Sequence, residues 1–89
     1  MLEKVKFALR IQNTLFDDEV QDIIDACLLD LELSGVNIPI KTENDKLITR
    51  SIILYAKSEF GLASADSEKY KLSYEALKRH LTLSEEYTK

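Results

Sequence analysis

The chain has 89 residues, with 12 Lys and Arg against 16 Asp and Glu and a net charge of −4. That is room for one domain, and the acids and lysines are mixed along the chain, which argues against a concentrated basic face for gripping duplex phosphates. The single cysteine, Cys27, excludes an intramolecular disulfide and a cysteine-based zinc site, and no stretch approaches the roughly 20 apolar residues of a membrane span.

A composition of 45% hydrophobic and 31% charged residues belongs to a globular chain rather than a disordered one. A chain this short buries only about 60–65% of the surface exposed when unfolded, so its core is thin, and thin cores often gain stability by assembly. The opening MLEKVKFALR is charged throughout and has no apolar signal core. The lone cysteine fits a reducing cytoplasm.

Residues Leu2 to about Arg10 read as a short helix with Leu2, Val5 and Leu9 on one face. Thr14, followed by Asp17, Asp18 and Glu19, reads as the cap of a second helix, because acids in the first turn suit the positive end of the helix dipole. This helix is expected from about Phe16 to Ser34. At about 100° per residue, Val20, Ile23, Ile24, Cys27, Leu28 and Leu31 form one broad apolar face. Gly35 is its expected stop, with Val36 folded back onto Leu31.

Pro39 prevents the run NIPIK from continuing the helix. The apolar loop Val36, Ile38, Ile40 is then either a lid over the core or an exposed arm, and it is the only place where a strand could hide. Thr42 with Asp45 repeats the capping signal and opens a third helix, Glu43 to Phe60. That helix is apolar nearly all round, which marks it as central, and Gly61 is its expected stop. Ser64 or Asp66 opens a fourth helix reaching about Leu83, with Tyr70, Tyr74, Leu77 and Leu81 in one stripe. The polar tail Ser84–Lys89 is expected to fray. The fold class expected is all-α: a compact bundle of about four helices, one short and three longer, with an irregular loop between helices 2 and 3. Residues 1–89 read as a single helical domain.

Chemistry-bearing residues are sparse. His80, the only histidine, lies off the apolar stripe of its helix and has no partner at ligand spacing. Cys27 sits on an apolar face, where a free thiol is a small hydrophobe, and Asp25 or Asp30 nearby would raise its pKa rather than activate it. Asp17, Asp18, Glu19, Asp22, Asp25 and Asp30 lack the alternation around a glycine turn that a calcium loop needs, and read as a solvated helix face. Tyr55, Tyr70 and Tyr74 at helical spacing read as core aromatics with their hydroxyls at the edge rather than a base-stacking platform.

One feature remains. Ala26, Leu29 and Leu33 sit nearly opposite Val20, Ile24 and Leu31 on the second helix. Either the first or fourth helix covers them, or a second subunit does.

The segments LEKVKFALRI and DDEVQDIIDACLLDLELSGV resemble the small phage head–tail connector family, also described as phage DNA-packaging proteins. LITRSIILYAKSEFG looks like the family's hydrophobic third helix, and YKLSYEALKRHLTLSEEY like its last helix, with paired tyrosines and an HLTLS ending. The resemblance spans about Leu2 to Tyr87, in order, with punctuation at Gly35 and Gly61. It implies a structural protein without catalytic residues, cofactor or metal. It further implies a homo-oligomeric ring, commonly of about a dozen copies, which closes by head-to-tail contacts.

Such a ring docks beneath the portal protein and continues the DNA channel to the next tail-completion protein. DNA passes through it without specific binding, and no membrane is involved. The implied location is the head–tail interface of a virion from a phage or prophage, with synthesis in the bacterial cytoplasm. On this view Ala26, Leu29, Leu33, Val36, Ile38 and Ile40 are the candidate subunit-contact residues. The chain departs from longer family members in its short loop between helices 2 and 3, which puts an extended inter-subunit arm in doubt. The competing reading is a small helical regulatory or protein-binding module of a phage. Its most basic stretch is Lys69–Arg79, interrupted by Glu75.

Overall fold

The computed structural model describes residues 1–60 and 65–88. Among them are four helices: α1 (Leu2–Leu9), α2 (Asp17–Leu33), α3 (Lys46–Glu59) and α4 (Ala65–Thr82). Two single 3₁₀ turns, Thr42–Asn44 and Glu85–Tyr87, precede α3 and follow α4. The architecture is the all-α bundle expected, one short helix and three longer ones. The stop at Gly61 and the opening at Ser64 lie outside the described residues.

α3 packs against α1, α2 and α4, as its apolar circumference requires. Ile48, Ile52 and Ala56 are fully buried along it. α2 contributes Val20, Ile24, Cys27 and Leu31, α1 contributes Val5, and α4 contributes Tyr74 and Leu81. Two edge-to-face aromatic pairs fix directions. Phe16, just before α2, meets Phe60, just after α3, at 5.6 Å, so these helices run antiparallel. Tyr55 of α3 meets Tyr74 of α4 at 5.0 Å.

α1 and α2 end in the same way. In α2 the amide of Val36 donates to Leu31 O (2.9 Å) and that of Gly35 to Glu32 O (3.0 Å), with Gly35 at φ +101°. This is a Schellman stop, and it leaves Leu31 and Val36 both fully buried. In α1 the amide of Ile11 donates to Lys6 O (2.9 Å) and that of Arg10 to Phe7 O (3.1 Å). The left-handed residue there is Arg10, φ 62°, a conformation unfavourable for a side chain with a Cβ.

The structure departs from the sequence reading at both caps. Thr14 does not cap α2. The helix starts at Asp17 behind Phe16, without a side-chain cap bond, while Asn13 Oδ1 accepts the Leu15 amide (3.0 Å) and closes a turn of its own. Thr42 does not cap α3 either. Asp45 Oδ1 accepts the amides of Leu47 and Ile48, both at 3.0 Å, because a charged carboxylate serves two orphan donors better than a hydroxyl. Thr42 instead opens the 3₁₀ turn and accepts, through its carbonyl, the Asp45 amide at 3.0 Å.

The tail after α4 is docked through residue 88, not frayed. The Tyr87 hydroxyl donates to the Asp45 carboxylate (3.0 Å to Oδ2), and the Tyr87 carbonyl accepts the Asn37 amide at 2.6 Å. Val36 and Thr88 form an isolated antiparallel bridge. One residue thus clasps both ends of the loop between α2 and α3. This loop is where the sequence left room for a strand, and among the described residues it holds only that single bridge.

Candidate interaction surface

The apolar stripe on α2 is left uncovered. Leu29 is 57% and Leu33 79% exposed, and Ala26 is exposed beside them. The reason is rotational. Val20, Ile24, Cys27 and Leu31 turn toward α3, and residues 26, 29 and 33 lie about 150° round the helix from them. Neither α1 nor α4 reaches that side, so intramolecular packing is removed as an explanation for the stripe.

The loop that follows divides in two. Val36 is fully buried, because the Schellman stop turns it inward onto the end of α2. It is therefore withdrawn as a contact candidate. Ile38 is half-buried, and Ile40 projects into solvent. The exposed surface also includes Phe7 (85% exposed), Leu15, Leu72 and Leu83. Phe7 and Leu72 lie off the main stripes of α1 and α4, and Leu15 and Leu83 stand outside the helices, so helical period does not single them out.

Several polar groups fall into structural networks. Lys6 is 4% exposed, and its ammonium pairs with Asp17 Oδ1 at 2.6 Å, joining the end of α1 to the start of α2. Asp30 accepts a 2.6 Å hydrogen bond from the Tyr74 hydroxyl and a 3.0 Å bond from Lys78 Nζ. Lys78 also reaches Glu75 at 3.1 Å and lies 5.3 Å from the Tyr74 ring centroid. Burial works to raise the Asp30 pKa, but the hydrogen bonds from Tyr74 and Lys78 outweigh it and leave the carboxyl below its ordinary value. Burial, then the bond to Asp30, raises the Tyr74 phenol above the usual tyrosine range. Asp17 and Asp30 are thus not part of a freely solvated acidic face. The Tyr74 and Lys78 spacing, four residues on one helix, was the visible half of this cluster. The Asp30 half is 44 residues away and leaves no local trace.

Cys27 is fully buried, with its Sγ 3.9 Å from the Tyr74 hydroxyl. Burial is the main cause that pushes the thiol pKa up to about 12, the opposite of an activated nucleophile. His80 is exposed on α4. Tyr55 and Tyr70 are half-buried and Tyr74 buried, the packing role expected of them. Among the described residues no cluster of three or more His, Cys, Asp or Glu is placed to hold a metal ion. No helix among them is long and apolar enough to cross a membrane.

Among the described residues the surface offers exposed apolar contact area. No curated protein and no solved structure is significantly similar to the chain. A family model described as phage connector protein does match, over residues 1–88. It takes in all four helices and the docked tail, the same pieces that carry the sequence resemblance. The family is a structural one, a component of the virion. A match running through the whole helical bundle shows that this chain belongs to the phage connector proteins.

Proposed function

We propose that the protein is a head–tail connector that forms a ring beneath the portal and prolongs the DNA channel toward the tail, with residues 1–89 acting as one domain. The observation that carries this reading is the uncovered stripe Ala26, Leu29, Leu33 on α2 in a chain matched from end to end by a connector family. A thin-cored domain that leaves two leucines in water gains by burying them against a like subunit. Ile40, with Ile38 behind it, stands on the neighbouring loop and extends the same contact or meets the portal. The net charge of −4 suits a wall past which DNA slides without adhering.

On this reading the partners are further copies of the chain, the portal and the next tail-completion protein, all at the head–tail interface. Nothing comparable supports a DNA-binding regulator. Lys78, near the end of the most basic stretch, is occupied by Asp30 and Glu75. The test is sizing by light scattering over a concentration series, followed by negative-stain microscopy with portal present. Rings coaxial with portal support the reading. A strict monomer that never engages portal removes it.

A further inference from the structure

Two recesses flank the central helix, and their charges are opposite. One, of about 460 Å³, lies between α1, the 3₁₀ turn and α3 and is lined by the cations Lys4, Lys46 and Arg50, by Ile53, and by one carboxylate, Glu43. The other, of about 480 Å³, lies between α2 and α3 and is lined by three carboxylates, Glu19, Asp22 and Glu59, with Ala26 and Tyr55, and by no cation. Among the described residues Lys46, Arg50, Glu19, Asp22 and Glu59 form no ion pair within the chain.

Their placement is as informative as their sign. Lys46 and Tyr55 are nine residues apart on α3, and so are Arg50 and Glu59. Nine residues at 100° each put the members of each pair about 180° apart around the axis. The two recesses therefore open in opposite directions. The acidic one shares Ala26 with the uncovered stripe Leu29, Leu33. The basic one takes Lys4 from α1, a helix that also carries Phe7, 85% exposed, and Lys46 from α3, next to the partly exposed Leu47.

We infer that these two faces are the complementary halves of a single head-to-tail contact. The acidic, apolar face of α2 and α3 on one copy receives the basic face of α1 and α3 on the next. A two-fold contact made by either face alone sets like charges against each other, whereas a heterologous contact pairs opposite charges and uses both faces of every subunit. The inference rests on the ring reading above and supplies its two surfaces.

The experiment uses two charge-reversed forms of the full chain, Lys46→Glu with Arg50→Glu, and Asp22→Lys with Glu59→Lys. All four side chains are exposed, and unchanged far-UV circular dichroism checks that both variants fold. Each variant alone is expected to lose self-association by roughly tenfold or more. A 1:1 mixture is expected to regain it, because each reversed face meets its opposite on the other variant and an alternating ring forms. Wild-type assembly is expected to weaken as salt is raised.

Assembly unaffected by either reversal, or lost in both and not restored by mixing, overturns the inference while leaving the ring reading intact. Loss of salt-sensitive duplex DNA retention by the Lys46/Arg50 variant, with assembly unchanged, also overturns it and assigns the basic face to nucleic acid. A wild-type chain that stays monomeric even with portal overturns both the inference and the reading on which it rests.

Discussion

The Tyr74 hydroxyl donates a 2.6 Å hydrogen bond to the Asp30 carboxylate across 44 residues of sequence. With the 3.0 Å bond from Lys78 to the same carboxylate, it is a polar fastening between α2 and α4, two helices that otherwise meet mainly through α3. Tyr74→Phe keeps the ring and its edge-to-face contact with Tyr55 but removes the donor. Because Lys78 still serves Asp30, the expected cost is about 1–2 kcal/mol. Urea unfolding followed by circular dichroism measures it, with the slope unchanged.

The same cluster sets a pH dependence. Asp30 titrates below its ordinary value in the folded chain, so its contribution is fully present above the unfolded carboxylate pKa and fades as pH falls through the lower, folded one. Tyr74 and Lys78 are both raised. Their contributions are full below about pH 10 and decline as pH rises past it. The expected profile is a plateau through neutral pH with an acid limb below about pH 4. Asp30→Asn should flatten the part of that limb owed to this carboxylate. Thermal melting across a pH series gives the answer, and an Asp30→Asn limb identical to wild type would count against the assignment.

Lys6 and Asp17 give a sharper contrast. Removing the carboxylate by Asp17→Ala strands a nearly buried ammonium and should cost about 2–3 kcal/mol. Lys6→Met with Asp17→Ala removes both charges, whereas Lys6→Met alone would leave the buried Asp17 Oδ1 unpaired. The double variant should cost less than Asp17→Ala alone. Equal losses for the two variants would show that the pair contributes through attraction rather than through avoidance of an unpaired charge.

The two left-handed stops predict effects of opposite sign. Gly35→Ala meets nothing within 4 Å, so its cost is conformational, about 1–2 kcal/mol. Arg10→Gly relieves a left-handed residue that has a Cβ and should raise stability by about 0.5–1 kcal/mol. Melting temperatures of the two variants should move in opposite directions.

On α2, Leu31 and Leu33 separate core from surface. Leu31→Ala should cost about 3 kcal/mol, as a fully buried leucine does. Leu33→Ala should alter monomer stability by less than about 0.5 kcal/mol. Leu29→Asp with Leu33→Asp should abolish assembly while leaving helix content intact. A double variant that unfolds instead would place the stripe in the core and contradict its exposure.

These contrasts show what a single sequence reveals and what it hides. The Gly35 and Val36 stop could be read in advance because every interaction it needs lies within six residues. The burial of Val20, Ile24, Cys27 and Leu31 followed from helical period alone. The caps were harder. Thr14 and Thr42 had the right chemistry at plausible places, and the choice between neighbouring candidates was decided by turns that periodicity does not encode. Lys6, Asp30 and Tyr87 were out of reach for a different reason. Each is a polar residue whose partner lies 11 to 44 positions away, and a polar residue with a distant partner looks, in sequence, like a solvated one. The exposure of Leu29 and Leu33 was an open alternative, and it took the positions of α1 and α4 to close it.

Tyr87 has one more consequence, in the order of events during synthesis. Its carbonyl holds Asn37 and its hydroxyl holds Asp45, the two ends of the loop that carries Ile38 and Ile40. During synthesis Tyr87 leaves the ribosome after α1, α2 and α3. Until that residue emerges the loop lacks the clasp at Asn37 and Asp45 and is held only by contacts such as that of Lys4 with the Glu43 carbonyl. The surface is completed only by a chain translated past the residue that fastens it, which separates the making of a subunit from its readiness to join others.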